Sequence, residues 1–309
     1  MTLKQLKKYK PPLTKKADFD IFWERTKRES TRQPLNIRLE KINYPIKKIS
    51  AYKIFFDGFN GGRICAHFVT EKNARNNPTI MGLHGLPGRK GMVAEFISWA
   101  LSGYNCLSID VRGQLGESTD TAKYSSGTEY GIAIKGILNK EEYYFRNVYM
   151  DCIRAIDFLC TRPEVDKKRI AVTGISQGGG LAIATCALDP RPKLLLPDQP
   201  YLCNFKQLIG TAIVNAVRNF REFLKDNKSK EEQMFDTLSY FDCMNLADKV
   251  KVKTLMSVGL KDVNCPPITT FAAYNHMKCK KEMAIYKEGT HEWQWYHVER
   301  KLAWIVKNL

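Results

Sequence analysis

The spacing of apolar residues changes along the chain, and the changes divide it. Near the start, "ADFDIFWERTKRES" sets Phe19, Ile21, Phe22 and Trp23 among charged residues, which predicts a short amphipathic helix. The next patterned stretch, "ISAYKIFFDGFNGGRICAHFVTE", reads as two strands around a turn at Gly58–Gly62. Its Asn60-Gly61 pair is a strong hairpin signal, because both residues tolerate the positive φ that tight hairpin turns require.

From about residue 78 the pattern becomes strand alternating with helix. "TIMGLHG" is a short apolar strand ending at His84-Gly85, "MVAEFISWALSGY" a helix and "NCLSIDVRG" a strand. "EYYFRNVYMDCIRAIDFLCTRP" is a long helix, with Val148, Cys152, Ala155, Ile156 and Leu159 at spacings of three and four. "RIAVTGIS", "KLLLPDQP", "KTLMSVGLKD" and "EMAIYKEGT" read as further strands. "GGGLAIATCAL", "PITTFAAYNHMK" and "WYHVERKLAWIVKNL" read as helices, the last with Trp295, Val298, Leu302 and Ile305 on one face. This alternation predicts an α/β fold: a mostly parallel, doubly wound sheet with an N-terminal antiparallel hairpin leading into it. One interval breaks the rhythm. Residues 204–248 look helical throughout, too long for a simple crossover, and are expected to form an insertion covering the carboxyl ends of the strands. The expected organisation is one domain over 1–309, with an N-terminal extension of about 1–50.

Composition narrows the function classes. At 309 residues a sizeable core is available, and no apolar run approaches the roughly 18 residues of a membrane span. The opening "MTLKQLKKYKPPL" has basic residues but no apolar stretch, so it does not read as a secretory signal. The nine cysteines are scattered without Cys-x-x-Cys or zinc-finger spacing, which fits reduced thiols in a cytoplasmic protein and no metal site. The net charge of +17 is high. The basic residues are spread along the chain, however, and runs such as Lys228-Ser-Lys230 sit among acids. A solvated Lys-rich surface is expected, with no nucleic-acid or membrane partner.

The candidate chemistry begins at Gly174-Ile-Ser176-Gln-Gly178, between a predicted strand and a predicted helix. A Gly-x-Ser-x-Gly at that junction is the setting of a nucleophile elbow, which exposes the serine hydroxyl at the top of the sheet. A serine hydroxyl needs a base. Of the five histidines, His67 lies in the hairpin, His276 and His297 fall inside helices as surface or packing residues, and His84 suits a structural or oxyanion-loop role. His291 follows the last strand, where a doubly wound sheet places its active site, and is the best base. An imidazole base needs a carboxylate to hold its tautomer. Asp262, at the end of "KTLMSVGLKD", is the leading candidate and Asp198, after "KLLLP", the runner-up. Asp110 reads as a residue that holds a loop. An oxyanion site needs two backbone N–H groups. Gln177 supplies one, and the "HGLPG" loop the other, through Leu86 because Pro87 has no N–H.

These residues together resemble the acetyl xylan esterases and cephalosporin C deacetylases, carbohydrate esterase family 7 of the α/β-hydrolases. The resemblance runs from "LKKYKPPLTKKADFDIFW" to the last helix. "DVRGQ" at 110–114 looks like the family's Arg-Gly-Gln motif, "GISQGGG" like its serine elbow, and "TLSYFD", "SVGLKDVNCPP" and "FAAYN" like the region carrying its acid. His291-Glu292 looks like its His-Glu motif. The resemblance implies Ser176, Asp262 and His291 as a triad, no cofactor, deacetylation of small acetylated sugars and related acetyl esters, and a hexamer. Three departures border the expected pocket: Leu86 where the family usually has tyrosine, "LGESTDTAKYSSG" in place of a glycine-rich segment, and Trp293 and Trp295, which would narrow the site. Arg112 and Gln114 are expected to hold neighbouring loops, and Cys265 to be a packed thiol. The same parts would also serve a serine peptidase or a general carboxylesterase, and a binding protein of this fold would lack the chemistry.

Overall fold

The computed structural model describes residues 1–292 and 295–309, with the side chain of Trp295 outside the described set. The chain opens with helices α1 (Leu3–Lys8) and α2 (Phe19–Thr31), then strands β1 (Arg38–Ile42), β2 (Ile49–Asp57) and β3 (Arg63–Glu71). There follow β4 (Asn77–Leu83), α3 (Ile97–Leu101), β5 (Asn105–Ile109), α4 (Tyr144–Thr161), β6 (Val165–Ile175), α5 (Gln177–Leu188) and β7 (Leu194–Asp198). Four helices come next: α6 (Phe205–Thr211), α7 (Asn215–Asp226), α8 (Glu231–Phe241) and α9 (Cys243–Leu246). The chain ends with β8 (Lys253–Gly259), α10 (Pro267–His276), β9 (Lys281–Tyr286) and α11 (Trp295–Asn308).

Among the described residues the strands form one nine-stranded sheet in the order β1-β2-β3-β5-β4-β6-β7-β8-β9. The pairs from β1 to β5 are antiparallel and those from β5 to β9 parallel. Neighbouring residues of one strand feed different cores. Ile80, Ala171 and Leu196 join a cluster with Ile305 of α11, whereas Met81, Val172 and Leu195 join the large cluster with α4 and α5. Side chains alternate across a sheet, so both faces are covered. That is why the central strands read as continuous apolar runs. The expected fold class is the observed one.

Three local readings change. "MVAEFISWALSGY" holds only a short 3₁₀ turn at Val93–Phe96 and the five-residue α3, which ends before Gly103 at φ 83°. Strand β1 was not expected, since its exposed, charged sequence carries almost no apolar period. On α11, Leu302 is 37% exposed, and among the described residues the covered positions are His297, Lys301 and Ile305. The buried stripe is therefore partly polar, for a reason that the site makes clear.

Between β7 and β8, the start of α6 and the first turn of α9 meet on one carboxylate at the end of α8. Asp242 accepts the backbone N–H of Asn204 (2.7 Å), Phe205 (2.9 Å) and Met244 (2.8 Å), while burial pushes its carboxyl up to about 6. The link from α6 to α7 reaches the strand ends, with Ile213 N–H donating to the carbonyl of Val263 at 3.1 Å. Helix α2 clasps the far side of this unit through the Trp23 indole, which donates to the Tyr240 carbonyl at 3.0 Å.

Candidate active site

Strand β6 ends at Ile175, and α5 begins two residues later. Ser176 lies between them at φ 56° and ψ −119°. A non-glycine residue in that region costs on the order of 1–3 kcal/mol, so the surrounding structure must hold it there. Three backbone hydrogen bonds do so: Ser176 N–H to the Asp198 carbonyl (2.9 Å), and Gly180 and Tyr201 N–H to the Ser176 carbonyl (3.1 and 2.9 Å). The flanking glycines are required by contact. A Cβ on Gly178 would lie 1.9 Å from the Leu83 carbonyl oxygen, and one on Gly174 would lie 2.5 Å from the same atom. Only bare backbone lets α5 start this close to β4.

Asp262 occupies the turn after β8. Its Oδ1 accepts the N–H groups of Asn264 (2.9 Å) and Cys265 (2.8 Å), which orient the carboxylate and leave Oδ2 for His291 Nδ1 at 2.8 Å. Asp262 is fully covered, while the His291 side chain keeps 17% of its surface exposed. The loop bearing His291 is held along its length. Leu260 N–H donates to the Tyr286 carbonyl, Lys261 N–H to the Gly289 carbonyl, and the Gln199 side-chain amide to the Thr290 carbonyl. Among the described residues, the neighbour of the Ser176 hydroxyl within bonding range is the Cys265 thiol, at 3.9 Å. Burial raises that thiol well above its ordinary value, as expected of a packed cysteine. Serine–base contacts in ligand-free sites are often long and tighten when substrate binds.

Gln177 begins α5, so its N–H is one of the first-turn donors that a helix cannot satisfy internally. Its buried side chain exchanges hydrogen bonds with Gln114, one of them at 2.8 Å, and Gln114 also reaches Tyr144. Leu86 precedes a cis-Pro87 in the loop after β4. His84 fixes the root of that loop. Its Nε2 accepts Val111 N–H at 2.9 Å, so its Nδ1 carries the proton and donates to the Gly85 carbonyl at 2.8 Å. Burial lowers the His84 pKa, consistent with a neutral ring. Arg112 forks onto Asp151 at 2.6 and 2.7 Å and donates to the Phe59 carbonyl, holding the loop after β5.

The runner-up acid has another histidine. Asp198 Oδ1 accepts His297 Nε2 (2.6 Å) and the Ser257 hydroxyl (2.8 Å), and Oδ2 accepts Lys301 Nζ (2.7 Å). Burial alone would raise this carboxyl, but Lys301 and His297 outweigh it and hold it below the usual carboxylate range. Tyr286 closes the other ring nitrogen, its hydroxyl lying 2.8 Å from His297 Nδ1. The sequence reading of His297 as a surface or packing residue missed this network. Its one signal was the pair His297 and Lys301, four residues apart on α11 and hence on one face. Asp110 also has its partners: Lys90 Nζ lies 2.8 Å from Asp110 and 2.8 Å from Glu117. Cys65, Asp110 and Glu117 are close enough to share a metal ion, but the Lys90 ammonium already supplies the positive charge there. Trp293 and the side chain of Trp295, expected to narrow the site, lie outside the described residues.

The family model described as acetyl xylan esterase (AXE1) matches residues 1–308. The fold superposes on acetyl xylan esterase from Paenibacillus sp. R4 with a TM-score of 0.96 at 44% identity, covering 100% of both chains. On acetyl xylan esterase 1 from Thermoanaerobacterium sp. JW/SL YS485 the TM-score is 0.94 at 30% identity, covering 99% of this chain and 98% of that one. Acetyl esterase Axe7A of Xylanibacter ruminicola is 26% identical over 283 residues, which are 89% of this chain and 63% of that protein. The chain thus spans less than two thirds of that relative's length.

Proposed function

The chain belongs to the acetyl xylan esterase family of carboxylic ester hydrolases, and we propose that it removes acetyl groups from small acetylated sugars through an acetyl-serine intermediate. The observation that carries this reading is the strained Ser176 elbow at the same end of the sheet as a buried carboxylate, Asp262, bonded to a part-exposed imidazole, His291.

In the proposed cycle, His291 Nε2 takes the Ser176 proton as Oγ forms a bond to the ester carbonyl carbon. Asp262 accepts from Nδ1–H, which keeps Nε2 free to receive that proton and stabilises the imidazolium. In this cycle the N–H groups of Gln177 and Leu86 stabilise the developing oxyanion, and the start of α5 adds its favourable dipole. The carbon–oxygen bond to the sugar then breaks, and the departing oxygen takes the proton from His291. Water, deprotonated by the same ring, then attacks the acetyl carbon; the bond to Oγ breaks, Ser176 regains the proton from His291, and acetate leaves. No step calls on a cofactor. Xylo-oligosaccharide acetates are the expected substrates, and cephalosporin C presents a comparable acetyl ester.

The test is covalent labelling of Ser176 by a fluorophosphonate, followed by a screen of acetylated xylo-oligosaccharides, cephalosporin C, aryl esters and an aminoacyl anilide. Labelling at Ser176 with turnover of the acetates is expected. Preferential anilide cleavage would point to a peptidase, and the absence of labelling to a binding protein.

A cytoplasmic location and a homo-hexamer complete the proposal. The nine free cysteines support the first. Among the described residues no helix is long and apolar enough to cross a membrane. Exposed apolar side chains at Leu115 (68%), Ile213 (67%) and Val263 (51%), beside Gln114 and Asp262, support self-association near the site mouth. Light scattering that shows only a 35.5 kDa monomer at low and moderate salt would overturn the hexamer.

A further inference from the structure

Two adjacent residues at the end of β7 reach the two sides of His291. The Gln199 side chain donates to the carbonyl of Thr290, one residue before the histidine. The Asp198 carboxylate takes His297 and Lys301 on successive turns of α11, the helix that follows it in the chain. Asp198 also takes the Ser176 N–H on its main-chain oxygen, at 2.9 Å. One residue therefore holds the nucleophile by its backbone and the helix after the histidine by its side chain.

Among the described residues, the apolar contacts of α11 include buried Ile305, Trp304 packed against the same cluster and the Tyr296 ring on Tyr286, while Leu302 and Val306 are 37% and 63% exposed. Apolar contact is non-directional and leaves a helix free to slide or roll. A carboxylate clamped by two charge-assisted donors is directional. The Asp198 network is also closed to chemistry: the cavity beside it measures about 10 Å³, room for no more than one water. We propose that Asp198, acting through His297 and Lys301, is a positioning residue that sets the reach of His291 toward Ser176. The proposal rests on the triad reading above. A base displaced by about 1 Å can cost on the order of 100-fold in rate, so a clamp on the helix that follows it has a kinetic consequence.

The experiment compares Asp198→Asn, His297→Ala and Lys301→Met with the donor-keeping variants His297→Gln and Lys301→Arg. For each, kcat and KM on an aryl acetate, the rate of fluorophosphonate labelling and the folded fraction by circular dichroism are measured. Asp198→Asn and His297→Ala are expected to lower kcat about 10–100-fold with KM within twofold, and to slow labelling by the same factor. His297→Gln should recover most of the loss, because its amide reaches Asp198 with an N–H. Should Asp198→Asn fail to fold, the pair His297→Ala and His297→Gln decides. Folded variants with kcat within twofold of the parent, a rise in KM alone, or a loss that only tracks the unfolded fraction would each overturn the positioning role. His291→Ala, run beside them, separates the two readings: full activity in that variant defeats the triad itself, whereas an inactive His291→Ala beside an active, folded Asp198→Asn defeats only the clamp.

Discussion

Two carboxylate–histidine pairs lie at the carboxyl ends of neighbouring strands, and their difference lies in what surrounds each ring. Asp262 and His291 are 2.8 Å apart, and Asp198 and His297 are 2.6 Å apart. The first carboxylate is satisfied by two backbone N–H groups and the imidazole. Its imidazole keeps an exposed edge. The second pair is sealed, with Lys301 on the carboxylate, Tyr286 on the far ring nitrogen and the His297 side chain 3% exposed. A ring that must accept and return a proton needs a free nitrogen and access to substrate. The sealed ring has both nitrogens committed, and Lys301 already compensates its carboxylate. Similar distances thus accompany different surroundings: the open pair is built for proton exchange in the proposed cycle, and the closed pair for holding.

The largest expected effect tests the open pair directly. Ser176→Ala and His291→Ala should each lower kcat for a small acetate ester by roughly 10⁴–10⁶-fold with the fold intact. Near-parental turnover in either purified protein would remove the assignment. Asp262→Asn should cost about 10⁴-fold through loss of the correct tautomer. The comparison predicts that it exceeds the loss in Asp198→Asn. The reverse order in steady-state kinetics would exchange the roles of the two acids.

A smaller effect concerns the pocket. From acetate to butyrate, kcat/KM should fall, about 10-fold or more for each added methylene if the acyl site is closed at acetyl size. An open site would instead gain up to about 0.8 kcal/mol per buried CH₂. A steady rise to hexanoate would identify a general carboxylesterase. The elbow itself predicts that Gly178→Ala loses on the order of 1–3 kcal/mol in denaturant melts, since a Cβ there must push α5 away from β4. An unchanged melt would mean that the close approach is not rigid.

The smallest effect concerns the other closed cluster. Hydrogen bonds from Lys90 and Lys53 hold the Glu117 carboxyl at about 2, below the 4.5 of a free side chain. A depressed carboxyl contributes stability that is present above its unfolded value and is lost as pH falls through the folded one. Glu117→Gln should therefore lower stability at neutral pH and flatten its decline between about pH 4.5 and 2. Because the Glu117 side chain is 48% exposed, solvent screening limits the change to roughly 1 kcal/mol at most. Thermal melts across that range test it, and turnover at neutral pH should hardly move.

Much of the fold is written in short-range pattern. Apolar runs such as "RIAVTGI" and "KLLLP" are long enough to mark strands, and the glycines around Ser176 mark a turn that admits no side chain. The order of Ser176, Asp262 and His291 along the chain can likewise be read without coordinates. Strand β1 could not, because its stability comes from pairing with β2 and its own residues bury little. The short α3 is a second miss: its apolar residues suggested a longer helix than the close packing against β3 and β5 retains. Asp262 was ranked ahead of Asp198, but which ring each carboxylate would meet was out of reach. Both end a strand, both have a histidine to meet, and those partners lie 29 and 99 residues away. The buried face of α11 shows the same limit, since Leu302 outranks Lys301 on any hydrophobic scale yet faces outward. Residue type and periodicity act over a turn or two of chain, so the sequence determined which groups could do chemistry. Which carboxylate met which ring depended on the register of β7, β8 and α11, and only the assembled sheet sets that register.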